Sequence, residues 1–133
     1  MSHKQGLVVL LSIFLFCIIA NSGCVRKKKK VVRLQEFSSE LWIQDKNGCN
    51  GNRNSLKNQF LSLKHNMRGL KTGDIENILG KPDAQELYNR SQRYYIYFLE
   101  PGPKCEYAKE NPQALFVRFS AVGIANEFII KPL

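Results

Sequence analysis

A chain of 133 residues with a net charge of +9 has room for one small domain and an N-terminal segment. The charge is uneven: residues 34–133 hold 13 of the 20 Lys+Arg and all 11 acidic residues, a balance of only +2. That excludes the basic, aromatic-interleaved face of a nucleic-acid binder. With His65 as the one histidine beyond the N-terminal segment, there is also no inventory for a metal centre or a nucleophile–base pair.

The first element is an export signal. Leu7 to Ala20 (LVVLLSIFLFCIIA) is apolar apart from Ser12, with Lys4 before it and Asn21-Ser22-Gly23 after it. Positive, apolar, then small is the layout of a segment removed on export, and the run falls short of the roughly 20 residues of a spanning helix. Ser22-Gly23-Cys24 resembles the point at which bacterial lipoproteins are cut and acylated. That implies residues 1–23 as signal peptide and Cys24 as the lipid attachment, where each buried methylene of an acyl chain would add about 0.8 kcal/mol. Asn21 departs from the aliphatic residue usual three places before such a cysteine. Two other fates stay open: plain cleavage after Ala20-Asn21-Ser22, and an uncleaved anchor with its domain in the cytoplasm. The second draws on Arg26 and Lys27 to Lys30, since cations favour that side.

Arg26, Lys27, Lys28, Lys29, Lys30 and Arg33 form a basic run suited to a tether, residues 24–39, lying on anionic headgroups. A single domain, 40–133, is expected beyond it. Of four cysteines, Cys17 leaves with the signal and Cys24 is consumed by lipid. Cys49 and Cys105 remain, both in loops rich in Gly, Asn and Pro. A disulfide between them would clip a small core in an oxidising compartment; the alternative is two separate thiols buried as small hydrophobes.

Within the domain, ELWIQD (Glu40 to Asp45) is a short ordered element carrying the only tryptophan, Trp42. DKNGCNGNR (Asp45 to Arg53) reads as a loop, in which Asp45 and Arg53 would form a solvated salt bridge. Leu56, Phe60, Leu63 and Met67 recur at helical spacing and predict an amphipathic helix over Asn54 to Asn66, with His65 in its last turn. Ile75, Ile78 and Leu79 line a second, short helix that Thr72 can cap and that Gly80 and Pro82 end. Strand patterns follow at Gln85 to Asn89, Arg93 to Glu100, Ala114 to Ser120 and Ile124 to Ile130. In RYYIYFLE, Tyr95, Tyr97 and Leu99 share one face, and Tyr94, Ile96 and Phe98 the other. The expected fold class is α+β: two helices packed on one face of a four-stranded antiparallel meander.

The stretch GLKTGDIENILGKPD, Gly69 to Asp83, resembles the helical signature of small outer-membrane lipoproteins of the BamE/SmpA/OmlA type. Leu70 stands where that family usually has methionine, and Lys71 where its Ser/Thr cap falls. The later YYIYF and LFVRFSAVGIANEFII are similar to the family's strands. The resemblance implies a short helix leading into a β-meander and a non-enzymatic accessory role in outer-membrane protein assembly.

The expected function is therefore a lipid-anchored binding or scaffold module of the cell envelope, without cofactor or metal. Its partners would be membrane lipid and an envelope protein, met through residues such as Tyr94, Tyr95 and Tyr97, which join apolar area to a polar tip. The alternative is an envelope inhibitor or immunity-type protein that blocks an exported enzyme.

Overall fold

The computed structural model describes residues 37–133. Cys24 and the basic run Arg26 to Arg33 lie outside the described residues. In chain order come α1 (Ser39–Gln44), a 3-10 turn (Lys46–Gly48), α2 (Asn52–Met67), α3 (Thr72–Leu79), and strands β1 (Ala84–Tyr88), β2 (Gln92–Phe98), β3 (Gln113–Phe119) and β4 (Ala125–Pro132). The strands pair antiparallel in the order β1-β2-β3-β4. The fold is α+β, helices first and meander second, as the periodicities indicate. The added element is α1, one and a half turns started by Ser38, whose hydroxyl accepts the Leu41 N–H at 3.4 Å. It exists to seat Trp42, which is fully buried and stacks on Phe60 of α2 with ring centroids 5.5 Å apart.

Two helix starts differ from expectation for local reasons. α2 begins at Asn52 rather than Asn54 because Asp45 caps it from outside. The Asp45 carboxylate accepts the Asn50 N–H, just ahead of the helix, at 2.7 Å and the Arg53 N–H at 2.8 Å, the latter a first-turn donor that has no partner within the helix. α3 is capped by neither side chain considered. Lys71 occupies the cap position without a side-chain bond. The Thr72 hydroxyl and its backbone N–H both donate to Gly123 O, at 3.2 and 3.0 Å. Thr72 therefore ties the start of α3 to the β3–β4 turn instead of capping the helix.

The strand period of two sorts side chains as read. Tyr95, Tyr97, Leu99, Leu115, Val117, Phe119, Ala125 and Phe128 face the helices and meet Trp42, Leu56, Phe60, Met67, Ile75 and Leu79 in the main core. Ile96, Phe98, Ala114 and Phe116 form a second buried cluster on the opposite face, flanked by Ala84 and Tyr94. The helices cover one face, and the sheet's other face is apolar at its centre as well. The β1–β2 turn places Arg90 and Ser91 at φ 58° and 64°, a left-handed conformation that a glycine would hold with less strain.

One glycine is set by crowding. Gly48 has φ 67°, and a Cβ there would stand 2.6 Å from the Glu100 carbonyl oxygen and 2.9 Å from that of Phe98. Backbone oxygens at the end of β2 cannot move aside without breaking the sheet. Gly48→Ala is expected to destabilise the domain by about 2 kcal/mol or more, measured as a lower urea midpoint with an unchanged slope.

Candidate functional site

Three segments converge at the end of the sheet where β1 begins and β2 ends: the turn between α1 and α2, the Gly80-Lys81-Pro82-Asp83 turn after α3, and the β2–β3 loop. Arg53 joins them. Sequence composition put Arg53 in a solvated loop beside Asp45; the structure corrects this. Arg53 is 1% exposed and Asp45 is fully buried. The guanidinium pairs through Nη1 with Asp83, 30 residues away, and donates to Trp42 O at 2.9 Å and Phe98 O at 3.2 Å. Its Cζ lies over the rings of Trp42 and Tyr97, 5.6 and 5.7 Å from their centroids. Asp83 is equally occupied. Besides Arg53 it accepts the Asn47 N–H at 3.0 Å and the Phe98 N–H at 2.9 Å.

The cysteines sit on the outside of this junction. The Sγ atoms of Cys49 and Cys105 are 2.00 Å apart, at disulfide distance, with their Cα atoms 5.5 Å apart and a separation of 56 positions in sequence. A cross-link closing a loop of that length is worth about 4 kcal/mol in the chain-entropy model. The β2–β3 loop is also pinned by hydrogen bonds. Gly102 N–H donates to Asn47 O at 2.9 Å and Lys109 N–H to Pro101 O at 2.9 Å. Glu100 accepts from Lys109 Nζ and from Gln113 N–H, each at 2.8 Å. Those two bonds, Lys109 first, hold the Glu100 carboxyl below its ordinary range.

Beside the junction lies an open cleft of about 350 Å³ lined by Ile43, Lys46, Asn47, Gly80, Lys81, Pro82, Asp83 and Lys104. A smaller hollow of about 220 Å³ adjoins Cys49 and Cys105, with Asn50, Pro101, Glu106 and Tyr107. Among the described residues no three His, Cys, Asp or Glu side chains gather into a metal-binding group. None of the helices there is long and apolar enough to cross a membrane.

The tyrosines proposed for partner contact separate. Tyr95 is 4% exposed and Tyr97 fully buried, both under the helices. Their hydroxyls donate to Glu76 Oε1 and to Gly80 O, each at 2.9 Å. Burial removes both from any contact surface and makes them core residues with a satisfied polar tip. Tyr94 stays half-buried on the other face, edge-on to Tyr88 and to Phe116 with centroids 5.3 and 6.1 Å apart. Edge strand β1 exposes two large apolar side chains, Tyr88 on the face of Tyr94 and Leu87, 90% exposed, on the other face. His65 is exposed in the last turn of α2, as read.

Sequence reasoning missed the cleft because its residues come from stretches far apart in the chain: α1 and the 3-10 turn, the turn after α3, and the β2–β3 loop. The one local signal was the pairing of Cys49 with Cys105, which predicts that Lys46 and Lys104 lie near each other. Comparison with protein-family models, with curated proteins and with solved structures finds no match for this chain.

Two outcomes test the junction. Arg53→Met strands the buried Asp83 carboxylate and is expected to cost about 3–5 kcal/mol. Adding Asp83→Asn to it should cost less than the two single changes together, measured by a double-mutant cycle in urea. Tyr97 is held above its ordinary value, first by burial and then by the negative charges of Glu76 and Tyr95. A raised folded value means the stability contributed by neutral Tyr97 is complete below the ordinary tyrosine value of 10.0 and is lost as pH rises beyond it. The urea midpoint should hold steady below that pH and fall above it, with a shallower fall in Tyr97→Phe.

Proposed function

We propose that this chain is a lipid-anchored, non-enzymatic protein-binding module of the bacterial cell envelope. The observation that carries the reading is the junction and its cleft. The framework is fixed by a buried ion pair and a cysteine pair at disulfide distance, with the cleft opening beside it. The side chains around it are lysines, an asparagine and apolar residues, suited to contact rather than to making or breaking bonds.

Other features support the placement. Cys49 is exposed and Cys105 half-exposed, so the pair persists as a disulfide only in an oxidising compartment such as the periplasm. Ser22-Gly23-Cys24 supplies the anchor and the basic run a tether on the membrane surface. The likeness of Gly69 to Asp83 to the BamE/SmpA/OmlA type favours the outer membrane and an accessory role in protein assembly there. Leu87 and Tyr88 on the open edge of β1 offer apolar area of the kind partner surfaces use.

The test has two readouts on one preparation. Mass analysis of the membrane-extracted chain should give a species starting at Cys24 with added acyl mass and two hydrogens light at the cysteine pair. A species starting at Met1 or Ser2 would sink the anchor reading. Cross-linking in intact envelopes followed by capture of the chain should return an outer-membrane assembly. A single exported hydrolase would instead identify an inhibitor, and capture of lipid alone would overturn the protein-binding reading.

A further inference from the structure

The cleft carries a specific electrostatic statement. Lys46 comes from the 3-10 turn, Lys81 from the turn after α3 and Lys104 from the β2–β3 loop. All three are exposed, and among the described residues none pairs with a carboxylate; the ion pairs there are Arg53–Asp83, Lys109–Glu100 and Arg118–Glu127. Among the described residues of the lining the one carboxylate, Asp83, is fully engaged by Arg53 and two backbone N–H groups. In residues 34–133, whose overall balance is only +2, three cations from separate segments thus border one cleft without compensation. The cleft between them presents Ile43 and Pro82.

We infer that the cleft receives an acidic segment of a partner polypeptide, with a carboxylate among the three lysines and a neighbouring apolar side chain on Ile43 and Pro82. The inference deepens the protein-binding reading and rests on it. A phosphoryl group is the competing anion, and the surroundings suit it less. Phosphate sites draw on clustered backbone N–H groups, and here those of Asn47, Gly80 and Asp83 are already given to Asp83 Oδ1, Glu76 O and Ile96 O. The Asp83 carboxylate in the lining would also repel a dianion more than a single carboxylate. Lysine ammonium groups on long stems supply charge without demanding a fixed fork geometry, and so fit a carboxylate presented on a peptide.

The rim depends on the cysteine pair. Lys104 precedes Cys105, whose Sγ lies 3.3 Å from Asn47 O as well as at disulfide distance from Cys49. Gly102, two residues earlier, leaves no room for a Cβ, which would stand 2.7 Å from the Phe98 ring. The loop is thereby pressed onto the Lys46-Asn47 turn, and Lys104 is held on the same rim as Lys46.

The test is fluorescence anisotropy of a labelled peptide alternating leucine with aspartate and glutamate, titrated with the full chain in a non-ionic detergent. The amide counterpart, with asparagine and glutamine, serves as control. The acidic peptide should bind and the amide peptide should not, with affinity falling about tenfold between roughly 50 and 300 mM salt. Lys81→Glu with Lys104→Glu, both at exposed positions that leave the core untouched, should weaken binding by about tenfold or more. Cys49→Ser with Cys105→Ser should weaken it less. Equal binding of the two peptides would overturn the inference, as would binding indifferent to the charge reversals. Displacement of the peptide by inorganic phosphate, or by vesicles containing phosphatidylglycerol, at lower concentration than by unlabelled acidic peptide would overturn it in favour of a phosphoryl site. Envelope cross-linking reads any surface of the chain, so a partner captured there with no peptide bound here would remove the cleft proposal alone.

Discussion

The buried guanidinium of Arg53 is the constraint on which the junction depends. A cation with almost no exposure is tolerated only if its donors and its charge are both met. Arg53 meets them through five contacts: Asp83 across the chain, the carbonyls of Trp42 and Phe98, and the rings of Trp42 and Tyr97. These partners come from three places, so the arginine, at the start of α2, fixes α1, the turn after α3 and the end of β2 in one arrangement. Hydrophobic burial supplies most of the stability of a domain this small, but it is non-directional. The ion pair and its hydrogen bonds specify which end of the helical layer meets which end of the sheet.

The same network governs the surface around it. With Asp83 spent on Arg53 and on backbone N–H groups, it is not free to neutralise Lys46, Lys81 or Lys104, and among the described residues none of the three is ion-paired. The interior pairing thereby sets the sign of the exterior field. Had Asp83 faced solvent, the cleft border would carry a neutralising carboxylate. Asp45 plays a parallel part on the other side, where it caps α2 and leaves the Arg53 side chain free to turn inward.

How much of this was legible follows from range. The spacing of Leu56, Phe60 and Met67 and the alternation through Tyr94 to Leu99 are local patterns of burial, and they located α2, β2 and the two sheet faces. The α+β meander and the pairing of Cys49 with Cys105 followed from element order and from cysteine arithmetic. Arg53 was misread because a cation among Asn and Gly residues has the composition of a solvated loop, and its counter-ion lies 30 residues on. Thr72 was misread as a cap because its true acceptor, the Gly123 carbonyl, belongs to a turn 51 residues away. Tyr95 and Tyr97 were candidates for partner contact because a tyrosine joins apolar area to a polar tip, and the same character equally suits a core position. Their hydroxyls instead find Glu76 and Gly80 in the helical layer.

The span of the cysteine pair has a consequence for survival among proteases. Cys49 and Cys105 bracket α2, α3 and the first hairpin, including the exposed left-handed residues Arg90 and Ser91 at its tip. Loop tips of that kind are where backbone cleavage concentrates. Once the bond is made, a cut at the tip yields two pieces that remain covalently joined, with β1 and β2 still held side by side. The C-terminal piece keeps most of the sheet and the N-terminal piece keeps the helices, so a nicked molecule holds together as a single particle.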